Sequence, residues 1–143
     1  MRYGSRRCEP QRLRSDGSGP VIVAGISLGG WSTNLHHAAF ASADASAPIF
    51  AGAALAETFL TAAGALAAPE LVRAALNFEA SFAQGDQGRV HPLLARHDQY
   101  IDLDRQSASY VGVDLHVIEA GHVTGTLDAA RLRAHLLEVV SAA

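Results

Sequence analysis

Val21 to Ile26 is an unbroken apolar run rich in β-branched residues, the pattern of a short strand buried on both faces of a parallel sheet. Sequence of helical character follows from Leu28 to about Ser42, with Trp31, Leu35, Ala38 and Ala39 on one stripe. Pro48 to Ala53 predicts a second strand, rich in alanine. Leu55, Phe59, Ala62 and Leu66 then recur at helical spacing up to a break at Pro69. Proline is well tolerated in a first turn, so a further helix is expected from Pro69, carrying Leu71, Val72, Ala75, Leu76 and Phe82. Gln84 to Gly88 reads as a plain loop, Arg89 to Ala95 as a third strand, Ile101 to about Tyr110 as a short helix and Val113 to Ile118 as a fourth strand. Gly121 to Gly125 reads as a turn. Asp128 to Val140 closes the chain as an amphipathic helix with Leu132, Leu136, Val139 and Val140 inward. Strands separated by helices imply βαβ crossovers, hence an α/β fold of three layers, αβα, around a mainly parallel sheet of about four strands.

Composition narrows the classes of function. At 143 residues with 49% hydrophobic content the chain is expected to form one globular domain, residues 20–143. Residues 1–19 differ: Arg2, Arg6, Arg7, Arg12 and Arg14 with few apolar neighbours, closing on an Asp16–Pro20 turn cluster, predict a poorly ordered basic lead-in. A net charge of -3 argues against a nucleic-acid partner, because binding a phosphate backbone normally needs a basic face. Cys8 is the one cysteine, which rules out an internal disulfide and a cysteine-based metal site and makes a reducing, cytoplasmic setting the expectation. No apolar run approaches the roughly 18 residues that span a bilayer, and the N-terminal arginines have no apolar stretch behind them of the kind a signal peptide needs.

The chemistry concentrates where strands end. Ligands of open α/β sheets bind beyond the carboxyl ends of the strands, and three expected strands run into a polar residue there: Ser27, Asp98 and His122. Ser27 sits in Gly25-Ile26-Ser27-Leu28-Gly29, the G-x-S-x-G pattern of a sharp strand-to-helix turn that lifts a serine hydroxyl to its apex. Glycines two residues to either side, Gly25 and Gly29, would let strand and helix pack closely, and Gly30 adds room. A serine hydroxyl is a poor nucleophile at neutral pH, so a histidine must take its proton, and a carboxylate must hold that imidazole in the right tautomer. The N–H of Leu28, just after the serine, would donate to the oxyanion of a tetrahedral intermediate.

Blander roles stand beside these. Ser27 could cap the following helix. Asp98 could serve a surface turn, with Asp102 and Asp104 as rival carboxylates, and His97 is the main rival to His122. His36, His37 and His135 fall within helices and read as packing or surface residues. No H-x-x-x-H or similar spacing carries a matching carboxylate, so metal-independent chemistry without a cofactor is expected. Trp31, Phe59, Phe78, Phe82 and Tyr100 could line an acyl pocket or simply fill the core.

Gly25-Ile26-Ser27-Leu28-Gly29-Gly30, Arg96-His97-Asp98-Gln99-Tyr100 and Gly121-His122-Val123-Thr124-Gly125 together resemble the nucleophile, acid and histidine blocks of the α/β-hydrolase superfamily. The nearest likeness is to the branch related to the α/β-hydrolase-domain-containing 18 proteins, and it runs from about Gly19 to the C-terminus. The resemblance implies a serine hydrolase of esterase or lipase type acting on carboxylic esters or related small acyl substrates. It also implies a departure. In the full fold several strands and an oxyanion-hole loop precede the elbow strand, and about 20 residues precede it here. The expectation is therefore a C-terminal half of that fold, with the edge of strand 21–26 exposed and available for self-association. The alternative is a noncatalytic fragment that needs a partner or its N-terminal half.

Overall fold

The computed structural model describes residues 19–63 and 68–143. The basic lead-in over 1–18 and the helical position of Leu66 lie outside the described residues. Four parallel strands, β1 (Ile22–Ile26), β2 (Ala45–Ile49), β3 (Leu93–Ala95) and β4 (His116–Ile118), stand in the order β1-β2-β3-β4. Between and after them run α1 (Leu28–Phe40), α2 (Leu55–Ala63), α3 (Pro69–Leu76), α4 (Glu79–Gln84), a 3-10 turn (Gln87–Arg89), α5 (Leu103–Ser107), α6 (His122–Leu127) and α7 (Ala129–Ala142).

Alternation along β2 divides the core in two. Ala45, Ala47 and Ile49 face α7, where they meet Leu136 and Val139 and, through Leu93 and Ala95 of β3, also Leu132. Ser46 points the other way, its hydroxyl 3.4 Å from His37 of α1. On that side Leu94 of β3 joins Ala53, Phe82, Val90, Ile101 and Tyr110 in a second cluster. This is a sheet with helices on both faces, as the strand-helix alternation predicts.

Several elements depart from the sequence reading, each for an identifiable reason. β2 begins three residues before Pro48 and ends one residue after it. Proline removes a ladder donor and belongs by rule at strand starts or edges, yet here it lies buried within an inner strand. The inward face of α1 is not the Trp31, Leu35, Ala38, Ala39 stripe but Gly30, Thr33, Asn34 and His37. Hydrogen bonds hold most of those polar groups: Asn34 donates to the Gly52 carbonyl and to the Tyr110 hydroxyl, though its Oδ1 is buried without a partner, Thr33 donates to the Gly29 carbonyl, and His37 bonds the Asp86 carbonyl at 2.8 Å. The helix expected from Pro69 through Phe82 is broken at Asn77, where extended backbone pairs with Ala54 and the side chain accepts from the Ala56 N–H. The 84–88 segment is not plain loop. Buried Gln87 donates to the Phe82 and Ser109 carbonyls and accepts from the Val111 N–H. The third and fourth strands are three residues each, shorter than expected, and Leu103–Ser107 replaces the longer 101–110 helix. Val140, expected inward, is exposed.

Candidate active site

Backbone hydrogen bonds bring three chain segments to one height above the sheet. The Ser27 N–H donates to the Ile49 carbonyl (2.8 Å), tying the turn after β1 to the end of β2. Pairing of β3 with β4 continues past the strands, from the Arg96 N–H to the Ile118 carbonyl and from the His97 N–H to the Ala120 carbonyl. Asp98 and His122 therefore emerge side by side. His122 opens α6, whose start is held by the Gly121 N–H donating to the Thr124 hydroxyl (2.9 Å). The expected turn at 121–125 is thus the first part of a helix.

Ser27 has φ 56° and ψ -117°. A left-handed φ at a non-glycine residue costs of order 1–3 kcal/mol and persists only where the surroundings fix it. Here the surroundings are two glycines, though not the pair expected. A Cβ on Gly25 would run into the backbone of Gly29, and one on Gly30 would lie 2.6 Å from the Ile49 carbonyl oxygen. A Cβ on Gly29 would meet open space. Gly29 is needed for no room of its own; it is the backbone that forbids a side chain at Gly25.

The three side chains are joined by hydrogen bonds through the imidazole. His122 Nε2 is 3.0 Å from Ser27 Oγ, and His122 Nδ1 is 2.6 Å from Asp98 Oδ2. Asp98 Oδ1 accepts the Tyr100 and Ile101 N–H groups, both at 2.8 Å, so the carboxylate is gripped at each oxygen. Its side chain is 1% exposed and that of His122 15%. With a carboxylate as partner, Nδ1 carries the proton and donates it, which leaves the Nε2 lone pair facing the serine. Tyr100 stacks edge-on against the imidazole at 5.4 Å and Phe50 packs on it at 5.9 Å. The rivals stand elsewhere. Asp102 caps α5 by accepting the Arg105 N–H, Asp104 lies in the first turn of that helix, and His97 pairs at the surface with Glu119.

A cavity of about 330 Å³ opens beside Ser27 and His122. Leu28, Trp31, Leu55, Phe59, Tyr100 and Ile101 give it an apolar wall. Phe78 and Phe82 belong instead to the core on the α1 side of the sheet. Leu28 is the first residue of α1, a position whose N–H has no acceptor within the helix. The N–H of Ser27 itself is already taken by Ile49. Sequence reasoning missed Phe50 and Gln106. Phe50, at φ 51°, turns the chain off β2 and fills the space above Gly125, whose Cβ would strike its ring. Gln106 exchanges hydrogen bonds with the Ala54 backbone and shapes the cavity wall beside Gly52. Neither stands in a motif.

No family model matches the chain. No curated protein matches it. Solved structures do. An acylaminoacyl peptidase from Pyrococcus horikoshii superposes with a TM-score of 0.65 at 13% identity, over 90% of this chain and 25% of that one. An esterase domain from a Rhodothermus marinus protein gives 0.60 at 16% identity, over 96% of this chain and 67% of that one. An α/β hydrolase from the metagenome of Mar Chica lagoon sediments in Morocco gives 0.51 at 17% identity, over 90% of this chain and 64% of that one. The fold is that of α/β hydrolases, over the part that this chain spans: about a quarter of the peptidase and under two thirds of the metagenomic enzyme. These likenesses are to α/β hydrolases at large; the narrower branch named for domain-containing 18 finds no support in them.

Proposed function

We propose that this chain carries the catalytic centre of a serine hydrolase of esterase type, with Ser27 as nucleophile, His122 as general base and then general acid, and Asp98 as the carboxylate that orients the imidazole. The observation that carries the reading is the unbroken contact from Asp98 Oδ2 through both nitrogens of His122 to Ser27 Oγ at the mouth of an apolar cavity. In the acylation step the Ser27 oxygen forms a bond to the acyl carbon while its proton passes to His122 Nε2. The imidazolium then protonates the leaving alcohol as the ester C–O bond breaks. Water repeats the sequence to release the acid and restore the serine. The Leu28 N–H is the proposed donor to the oxyanion formed in each half. Neither metal nor cofactor has a part in these steps. The cavity volume lies at the low end for small-molecule sites, which favours short acyl groups.

One observation favours the second reading, a unit that acts only with a partner. Among the described residues β1 pairs with β2 alone, so the strand that carries Ser27 is an edge, with Ala24 exposed at its middle. Two copies joining edge to edge would satisfy both. Sedimentation velocity at rising concentration tests this: a growing dimer fraction supports pairing and an unchanged monomer sinks it. For the enzyme itself, hydrolysis of p-nitrophenyl acetate and butyrate by the wild type and its absence in Ser27→Ala are expected. Equal rates in the two would overturn the assignment.

A further inference from the structure

At the opposite end of the sheet from Ser27, β4 begins with His116, whose neighbour across the layer is the closing helix. One ligand atom each from His116, His135 and Glu138 lies within 4.8 Å of the others. They line an open cleft of about 290 Å³ with Leu93, Val117 and Ile118. We propose that His116, His135 and Glu138 bind a divalent transition metal ion, of the zinc class, that clips β4 to α7.

His135 carries the argument. Its ring is buried, 4% exposed, and Nε2 is 3.1 Å from the His91 carbonyl oxygen. A carbonyl only accepts, so Nε2 holds the proton and Nδ1 is left as a bare lone pair. That Nδ1 is buried with no hydrogen-bond partner. An unpaired polar atom in a buried site costs of order 1–3 kcal/mol and calls for an explanation. Metal-ligating histidines almost always give their other N–H to a carbonyl or carboxylate, as His135 would to His91 with Nδ1 as the ligand.

The other two proposed ligands are exposed, in contrast to this buried one. His116 Nδ1 is 3.5 Å from Glu138 Oε2, and its Nε2 is 3.9 Å from Asp114, a carboxylate placed to support the ring from outside. Arg131 also lines the cleft, but its guanidinium is engaged by Asp128 at 3.2 Å. Tetrahedral zinc with ligands near 2.1 Å separates them by about 3.4 Å, so His116 and Glu138, both exposed, need to swing inward by little more than an ångström. Two imidazoles and one carboxylate suit zinc and leave a fourth position for water. The expectation of metal independence, drawn from spacing along the chain, does not extend to this cleft. The set joins a strand to a helix 19 residues later, and no linear motif contains it.

The site is independent of the Ser27 chemistry, and its test needs no activity. Titration of the full chain with Co²⁺, followed by its visible absorption, is expected to saturate at one equivalent and to be reversed by Zn²⁺. His116→Ala and Glu138→Gln, both at exposed positions, should each weaken binding at least about tenfold with unchanged circular dichroism. His97→Ala, at the other surface His–Glu pair, should leave it unchanged. No saturable binding by the wild type, or full affinity in both cleft variants, would overturn the proposal.

Discussion

Ser27 combines a strained backbone with the side chain proposed as nucleophile. If the strain serves to hold the hydroxyl at the apex of the turn, removing the side chain should recover part of it. Ser27→Gly is expected to raise the unfolding free energy by about 1 kcal/mol while abolishing ester hydrolysis; a thermal melt and a p-nitrophenyl ester assay on the same sample check both. Asp98→Asn asks a different question. The amide can keep both backbone contacts, yet it no longer fixes the productive tautomer of His122. Turnover should fall by on the order of 10⁴ with little change in KM. A loss confined to KM would assign Asp98 to substrate binding instead.

Among elements, the turn from β1 into α1 makes the sharpest distinction. Gly25→Ala drives a methyl into the Gly29 backbone and should destabilise the fold by several kcal/mol or prevent it. Gly29→Ala meets open space and should fold as well as the wild type. Denaturant melts of the two variants separate these outcomes, and equal sensitivity would contradict the packing described. The sequence made this element legible because its demands are local: a β-branched run, a G-x-S-x-G spacing and helix-forming residues all lie within a few turns of chain. The carboxylate and histidine were legible for the same reason, each falling just past a strand. What stayed hidden depends on contacts between distant segments. The inward face of α1 is polar because Asn34 and His37 meet Gly52, Tyr110 and Asp86, and no periodicity of apolar residues reveals a buried face held by hydrogen bonds. Pro48 misled because it departs from the rule that keeps proline at strand starts and edges, lying inside an interior strand. The break at Asn77 answers to Ala54 and Ala56, more than 20 residues earlier.

For the whole molecule, no helix among the described residues is long and apolar enough to cross a membrane. The core on the α1 side depends on Tyr110, whose buried hydroxyl donates to the Ala51 carbonyl and accepts from Asn34. Burial raises its pKa well above the ordinary value of about 10, with the Asn34 hydrogen bond opposing. The sign follows from which state releases the proton. Above about pH 10 the unfolded chain ionises this tyrosine and the folded chain does not, so stability falls as pH rises, by up to about 1.4 kcal/mol per pH unit. Stability measured from pH 9 to 11 should show this slope in the wild type and lack it in Tyr110→Phe, which is also less stable at pH 7. An identical slope in both would place the titrating group elsewhere. This cluster adjoins the cavity through Ile101, so the cavity beside Ser27 and the larger core share a wall.

Whether Ser27 is a nucleophile activated by His122 is read by a fluorophosphonate probe without any choice of substrate. The folded chain is expected to be labelled on Ser27, located by peptide mass mapping, with labelling lost in Ser27→Ala and in His122→Ala. A folded chain that takes up no label, or takes it up equally without His122, would contradict it.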